Sequence, residues 1–337
     1  MTADTVTATT ESRADKVQAF SFGDPEPVLD RRQIYEAFET PFNGRWYEPP
    51  VSRDGLSSAY RSSPHHTSAL IVKRNLLAST FRPSSFMSRD VFSALALDYL
   101  VFGDCFVRKV RNLLGGPLRC ERLPAKYSRV GREGAMWFVP GWGLEVEYAA
   151  GDVVQLLEHD LDQEFYGVPD YMAAIQAALL NENATLFRRR YYLNGSHAGF
   201  IFYMTDAAAD EKDIDELKEK FKASKGPGNF RNLFLYAPNG KKDGVQIIPI
   251  SEVAAKDEFL NIKNVTRDDI LAAHRVPPQL IGLVPANAGG FGDVAKARDV
   301  FFESEIIPLQ RRFEALNEAL GFAAIAFEPY VKASSAA

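Results

Sequence analysis

Four stretches of this chain place apolar residues at helical spacing, and shorter alternating stretches lie between them. From Ser88, the positions Val91, Leu95, Tyr99 and Phe102 fall three and four apart, which predicts an amphipathic helix. Ser88 is a suitable N-cap, Asp90 complements the positive end of the helix, and Gly103 stops it. Thr67–Ser79 reads as a shorter helix before it. Residues 170–193 carry Met172, Ile175, Leu179, Leu186 and Leu193 on a long helical pattern, closed by Asn194-Gly195. At about 1.5 Å per residue such a helix spans on the order of 36 Å. A second long helix is expected over 252–274. Phe259, Ile262, Thr266, Ile270 and Ala273 form its sparse stripe, and Pro277-Pro278 ends it. The last helix is expected from Asp293, as N-cap, to Leu320. Phe302, Ile306, Leu309, Phe313, Leu316 and Leu320 share one of its faces. Within it Pro308 removes a backbone hydrogen bond and crowds the preceding turn, which predicts a kink.

Between the first and second of these long patterns the period falls towards two. Cys105, Val107 and Val110 mark a strand with basic residues interleaved, and Gly115-Gly116-Pro117 marks a turn. Further strands are expected near Leu118–Leu123, Ala135–Val139, Leu144–Tyr148 and Val153–Glu158. Residues 197–250 read as a small α+β insert. It holds a strand over Phe200–Met204 and a charged helix over Asp210–Lys222 with Ile214, Leu217 and Phe221 as its stripe. Two more strands, Leu233–Tyr236 and Val245–Ile250, are linked through Pro238-Asn239-Gly240. A short strand over Ala324–Phe327 precedes a polar tail. Residues 20–66 are broken by Asp24-Pro25-Glu26-Pro27, Pro41, Pro49-Pro50 and Pro64, so an irregular arm is expected there. Its aromatic residues Phe42, Trp46, Tyr47 and Tyr60 suit docking on its own core or on a neighbouring subunit. Residues 1–20 open with a Thr-, Ala- and Asp-rich run and read as a disordered tail. There is no internal repeat. The fold class is α+β.

Composition narrows the functional range. The 337 residues have room for two or three subdomains, and 46% apolar with 25% charged residues is ordinary globular composition. A net charge of −5 opposes a tight grip on nucleic acid, which needs clustered Lys and Arg, but permits loose enclosure of DNA. Cys105 and Cys120, both in expected strands, fit buried thiols in a reducing compartment. No run approaches the length of a membrane-spanning helix, so no membrane role is expected.

Most candidate chemistry is excluded. Gly289-Gly290-Phe291-Gly292 leads into a helix start, where an anion could sit. The Walker pattern requires Gly-Lys-Ser/Thr next, and here Gly292-Asp293-Val294 stands instead, with an acid that repels phosphate. His65-His66, His159, His197 and His274 show no ligand spacing, and Glu158-His159-Asp160 would point to different faces of a strand. No Gly-x-Ser-x-Gly elbow is present. The expectation is a non-enzyme with no catalytic residues, cofactor or metal. Arg188, Arg189 and Arg190 cannot share one helix face, since successive residues are about 100° apart. They suit solvent, a subunit-interface salt bridge or contact with DNA.

The order and spacing of five segments give a specific resemblance. Tyr166-Gly167-Val168-Pro169, Phe187 to Gly199, Ala273 to Gly282, Gly289 to Lys296 and Ile307-Pro308-Leu309-Gln310 together resemble phage portal proteins of the P2-like, or PBSX, family. The resemblance covers most of the chain beyond the N-terminal arm. It implies a β-rich wing, long stem helices, a small clip and a ring, usually of about twelve subunits, at one vertex of a tailed-phage capsid. Carried onto this chain, residues 21–168 form the arm and wing, 169–196 and 251–282 the stem, and 197–250 the clip. Residues 283–292 form a channel loop with Asn287, Gly289, Gly290, Phe291 and Gly292, and 293–337 form the kinked wing helix and tail. Only 17 residues follow Leu320, so the crown should be reduced or absent.

The implied function is a conduit for double-stranded DNA in genome packaging and ejection. Implied partners are the terminase large subunit, the major capsid and scaffolding proteins, and head-completion or tail-connector proteins. The implied location is the virion, after assembly in the host cytoplasm. A capsid or tail-adaptor ring that passes no DNA during packaging is the competing reading.

Overall fold

The computed structural model describes residues 18–20, 40–141, 143–193, 200–204, 233–236, 245–249, 253–283 and 293–332. The chain folds as two compact units. One comprises Met1–Pro27 with Ala184–Asn261, and the other Val28–Asn183 with Ile262–Ala337. Both helix and sheet contribute, as the α+β reading expects.

The described helices are α1 (Arg53–Ala59), α2 (Pro64–Thr80), α3 (Arg89–Phe102), α4 (Ile175–Leu193), α5 (Val253–Ala273), α6 (Val294–Phe301) and α7 (Ile307–Leu320). The described strands are β1 (Gln18–Phe20), β2 (Trp46–Tyr47), β3 (Asp104–Arg111), β4 (Pro117–Leu123), β5 (Ser128–Gly131), β6 (Met136–Phe138) and β7 (Val146–Tyr148). They continue with β8 (Val153–Leu157), β9 (Phe200–Met204), β10 (Leu233–Tyr236) and β11 (Val245–Pro249).

The smaller unit holds a sheet of order β1-β10-β9-β11, in which β10 and β9 run parallel. The two strands linked through Pro238-Asn239-Gly240 are therefore not neighbours, because β9 lies between them. The sheet also corrects the N-terminal expectation. Gln18–Phe20 is a strand, bonded antiparallel to β10 with Ala19 opposite Leu235, and not part of a disordered tail. The charged helix expected over 210–222 lies outside the described residues.

The larger unit has two antiparallel sheets, β2-β5-β6-β7 and β4-β3-β8, around a helical core. Helix α3 forms where its caps predict. Ser88 Oγ accepts the Val91 N–H, and Gly103 adopts a left-handed φ of 75°. Its buried Phe92 stacks on Phe81 at 4.2 Å and meets Phe313 of α7 edge-on at 5.2 Å. The predicted stripe of the last helix is buried throughout, from Phe302 to Leu320. The segment is not one α-helix, however. A π-helical turn over Phe302–Ile306 separates α6 from α7, and the Ile307 N–H reaches back to the Phe302 carbonyl. Pro308 is exposed and comes directly after that turn, where its missing N–H and bulky ring are least compatible with α-geometry.

Three local expectations change. Helix α1 stands inside the arm expected to be irregular, capped by Ser52 Oγ, which accepts the Gly55 N–H at 3.1 Å. Its short stripe of Leu56 and Ala59 is too brief to show a period. Strand β5 forms where no strand was expected, and Ala324–Phe327 contributes only a bridge from Phe327 to Phe81. Cys105 and Cys120 are buried free thiols on β3 and β4.

One close crossing fixes the end of α3. A β-carbon on Gly103 would lie 2.7 Å from the Val168 carbonyl carbon, and Gly103 O accepts the Glu158 N–H at 2.7 Å. Only glycine combines that approach with the left-handed backbone.

Candidate functional site

The predicted channel-loop residues Asn287, Gly289, Gly290, Phe291 and Gly292 lie outside the described residues. Both supports of that loop are described. On the N-terminal side α5 ends at Ala273, and Arg275 takes a positive φ of 57°. Val276 N–H then bonds back to Leu271 O at 3.0 Å, which tightens the exit. Pro277 and Pro278 allow no helix continuation and lead into a 3-10 turn, Pro278–Ile281, closed by Gly282 at φ 77°. On the C-terminal side Asp293 caps α6, accepting the Lys296 N–H at 2.9 Å.

A cluster of charges ties the two supports together. Glu305, in the π-helical turn after the loop, accepts Arg275 Nε at 2.7 Å and Lys73 Nζ at 2.6 Å. Arg275, before the loop, also pairs with Asp170. The Lys73 and Glu305 side chains are only 4% and 7% exposed, whereas Arg275 is half-exposed. Burial pushes the Glu305 carboxyl up. The hydrogen bonds and charges of Arg275 and Lys73 outweigh it and hold Glu305 below the usual carboxylate range. The same bonds raise Arg275. Four segments far apart in sequence, from α2, the turn at Asp170, the end of α5 and the π-helical turn, thus meet at one ionised joint.

Next to it His66 Nδ1 and His274 Nε2 are 2.9 Å apart, both buried, with Tyr171 edge-on to His66 at 4.5 Å. Burial pulls His66 down to about 4 and His274 below its ordinary value, so both rings are neutral near pH 7. Between α4 and α5 within this unit, Asn181 Nδ2 donates to Thr266 Oγ1 at 2.8 Å, beside an apolar cluster of Ala174, Ala178 and Ile270.

Two more charge pairs brace the surroundings. Arg53 pairs with the fully buried Asp104, whose other oxygen accepts Gln155 Nε2 at 2.9 Å and the Gly167 N–H at 2.8 Å. Tyr99 donates to Glu158 at 2.5 Å, and Arg312 of α7 pairs with the same carboxylate. A cavity of about 20 Å³ lies among Lys73, Tyr99, Glu158, Asp170, His274 and Glu305. That volume holds about one water. The arrangement can lock elements in place and has no room for a nucleotide or similar substrate.

Of the other predicted site residues, Arg188 and Arg189 are exposed on α4, and the side chain of Arg190 lies outside the described residues. Sequence reading missed Lys73, Glu305 and Asp170 as a set. A signal existed for two of them. Lys73 interrupts the buried run Leu70, Lys73, Leu77 at helical spacing, and Glu305 sits between buried Phe302 and Ile306. A charge on an apolar face calls for a buried partner.

Comparison with known proteins bears on the family and the fold. The family model described as "Phage portal protein" matches residues 59–334. A protein named "Probable portal protein" from Escherichia phage P2 is 52% identical over 316 residues, covering 94% of this chain and 92% of its own length. One of the same name from Haemophilus phage HP1 (strain HP1c1) is 39% identical over 299 residues, covering 87% of this chain and 86% of its own. Among solved structures, an HK97 family phage portal protein from Corynebacterium diphtheriae has the same fold. Its TM-score is 0.56 at 17% identity, over 81% of this chain and 94% of its own. A chain in the virion of a native gene transfer agent particle gives a TM-score of 0.60 at 19% identity, covering 87% of this chain and 88% of its own.

Proposed function

This chain belongs to the phage portal protein family, and on that premise we propose that it assembles into a closed ring that conducts double-stranded DNA through one capsid vertex. Twelve subunits is the number the resemblance implies, and neighbouring folds occur in necks of gene transfer agent particles computed with C6 and with C12 symmetry. In this reading residues 21–168 form the arm and wing, 169–196 and 251–282 the stem, and 197–250 the clip. Residues 283–292 line the channel, and 293–337 return as the kinked wing helix and tail. The chain is a structural component that uses no cofactor. A separate terminase supplies the energy for translocation and docks on the clip. Capsid, scaffolding and head-completion proteins meet the ring at other faces, within a virion assembled in the host cytoplasm.

The observation that carries this reading is the Arg275–Glu305 joint. A loop that tracks a moving duplex needs freedom within it and fixed ends. Glycine, which stands at 289, 290 and 292, is the residue type suited to the first, and the buried ion cluster at both supports suits the second. A net charge of −5 per subunit, repeated around a ring, favours passage over retention. The test is DNA packaging by particles whose portal lacks part of 283–292. Packaging should fail while rings still form, and unchanged packaging overturns the channel role and leaves an adaptor ring.

A further inference from the structure

The three-stranded sheet β4-β3-β8 carries exposed features of opposite character at its two ends. At one end is the turn between β3 and β4. Asn112 closes it: its N–H donates to Gly116 O at 2.8 Å, and its Oδ1 accepts the N–H of Leu114 at 2.9 Å and of Gly116 at 3.0 Å. The result is a firmly bonded turn that holds Leu113 and Leu114 in solvent, 106% and 96% exposed. Arg108, Arg111 and Arg119 flank it with two acids, Asp152 at 3.9 Å from Arg111 and Glu121 at 2.7 Å from Arg119, so positive charge is in excess there.

The other end has the reverse sign. Strand β8 runs antiparallel to β3, with Val153 opposite Arg108 and Leu157 opposite Asp104. The chain leaving β8 therefore emerges away from the leucine turn, separated from it by the eight residues of β3, about 25 Å. It turns at once, with a bridge from Asp160 to Gln163 and the Asp162 N–H donating to Asp160 Oδ1 at 2.9 Å. Leu161 at this turn is 102% exposed, and Asp160, Asp162 and Glu164 surround it in sequence. Asp162 and Glu164 are exposed and form no ion pair among the described residues.

Each end thus presents bare leucine on a bonded turn, with positive charge in excess at one and only acids in sequence around the leucine at the other. Two complementary patches at different places on one chain can meet head to tail, and in the ring proposed above such a heterologous contact is the kind that closes. We propose that the Leu113–Leu114 turn of one subunit docks on the Asp160–Glu164 turn of the next. The proposal rests on the ring reading above. The leucines exclude water at the contact, and the arginines and carboxylates set its register and speed of encounter.

Disulfide capture in the full chain tests it. Leu114→Cys/Leu161→Cys protein is oxidised and run on a non-reducing gel, with negative-stain images of the same sample. A ladder of multimers is expected, absent from either single variant, since native Cys105 and Cys120 are buried. In parallel, Arg111→Glu/Arg119→Glu should raise the protein concentration needed for half-assembly by roughly ten-fold, and adding Asp160→Arg/Asp162→Arg should restore it. Rings in the images without a ladder and without a charge effect overturn the docking and leave the ring reading standing. Rings that persist in the charge variant but no longer enter capsids assign the hairpin to a capsid partner, which also overturns it. A parent protein that never forms rings refutes the ring reading itself.

Discussion

Glu305→Gln is the most direct probe of the joint between the loop supports. The substitution keeps the shape of the side chain but removes the charge that faces Lys73 Nζ at 2.6 Å and Arg275 Nε at 2.7 Å. Lys73 is 4% exposed and burial already lowers its ammonium, so without the Glu305 charge it is a buried cation with only Asp170 as a counter-charge. Breaking a buried pair on one side costs about 3–5 kcal/mol. Arg275 adds little to this figure. It is 53% exposed, and water replaces much of what it loses. At about 2–4 °C per kcal/mol for a unit of this size, melting should fall by about 6–20 °C. Lys73→Met removes the buried cation and leaves Glu305 with Arg275, so about 1–3 kcal/mol is expected. The double variant should cost less than the two single changes together, by at least about 1.5 kcal/mol, because Lys73→Met removes the cation that Glu305→Gln would strand. Thermal denaturation gives the energies, and hydrogen exchange over Val276–Leu283 and Val294–Phe301 reports the supports directly. Glu305→Gln protein that melts within about 2 °C of the parent, or substitutions that simply add, would refute a coupled buried joint.

Two further outcomes are expected from the same interior. In the unfolded chain His66 and His274 titrate near 6.5, while in the fold burial holds His66 at about 4 and His274 below its ordinary value. Between those values the unfolded state binds more protons, so stability is full above about pH 6.5 and falls as pH drops towards about 4. His66 alone accounts for up to about 3 kcal/mol, and denaturant titrations from neutral to acid pH should show the slope, flattened in His66→Gln/His274→Gln; a flat parent profile would sink the argument. Gly167→Ala would drive a methyl into the Gly103 carbonyl oxygen and to 2.7 Å from Glu158 N, both backbone. A loss of about 3 kcal/mol or of soluble protein is expected, and an unchanged denaturation midpoint would contradict the crossing.

What was legible in the sequence was local. Ser88 and Gly103 bound α3 because a cap and a left-handed stop act on adjacent backbone. The stripe from Phe302 to Leu320 was legible because one face of it is buried without interruption. The family was legible from short segments in fixed order. The ion cluster was not, since Lys73 and Glu305 are 232 positions apart and Arg275 and Asp170 are 105 apart. Nothing in local spacing announces such a meeting. Helix α1 was hidden by the prolines around it and by Arg53, a charged residue whose burial depends on Asp104. The glycine loop, the centre of the functional reading, was visible only as composition and resemblance.

The π-helical turn before Pro308 has a bearing on how this chain is compared with its relatives. Its backbone bonds span five residues where an α-turn spans four, so it absorbs one residue without altering the helix beyond it. In an uninterrupted α-helix one added residue would swing every later side chain by about 100°, taking Leu309, Phe313 and Leu316 off the core. The turn cancels that rotation within its own length. A relative lacking one residue between Phe301 and Ile307 would keep the same buried face on either side, so a single-position gap there is a change of phase and not the loss of a contact.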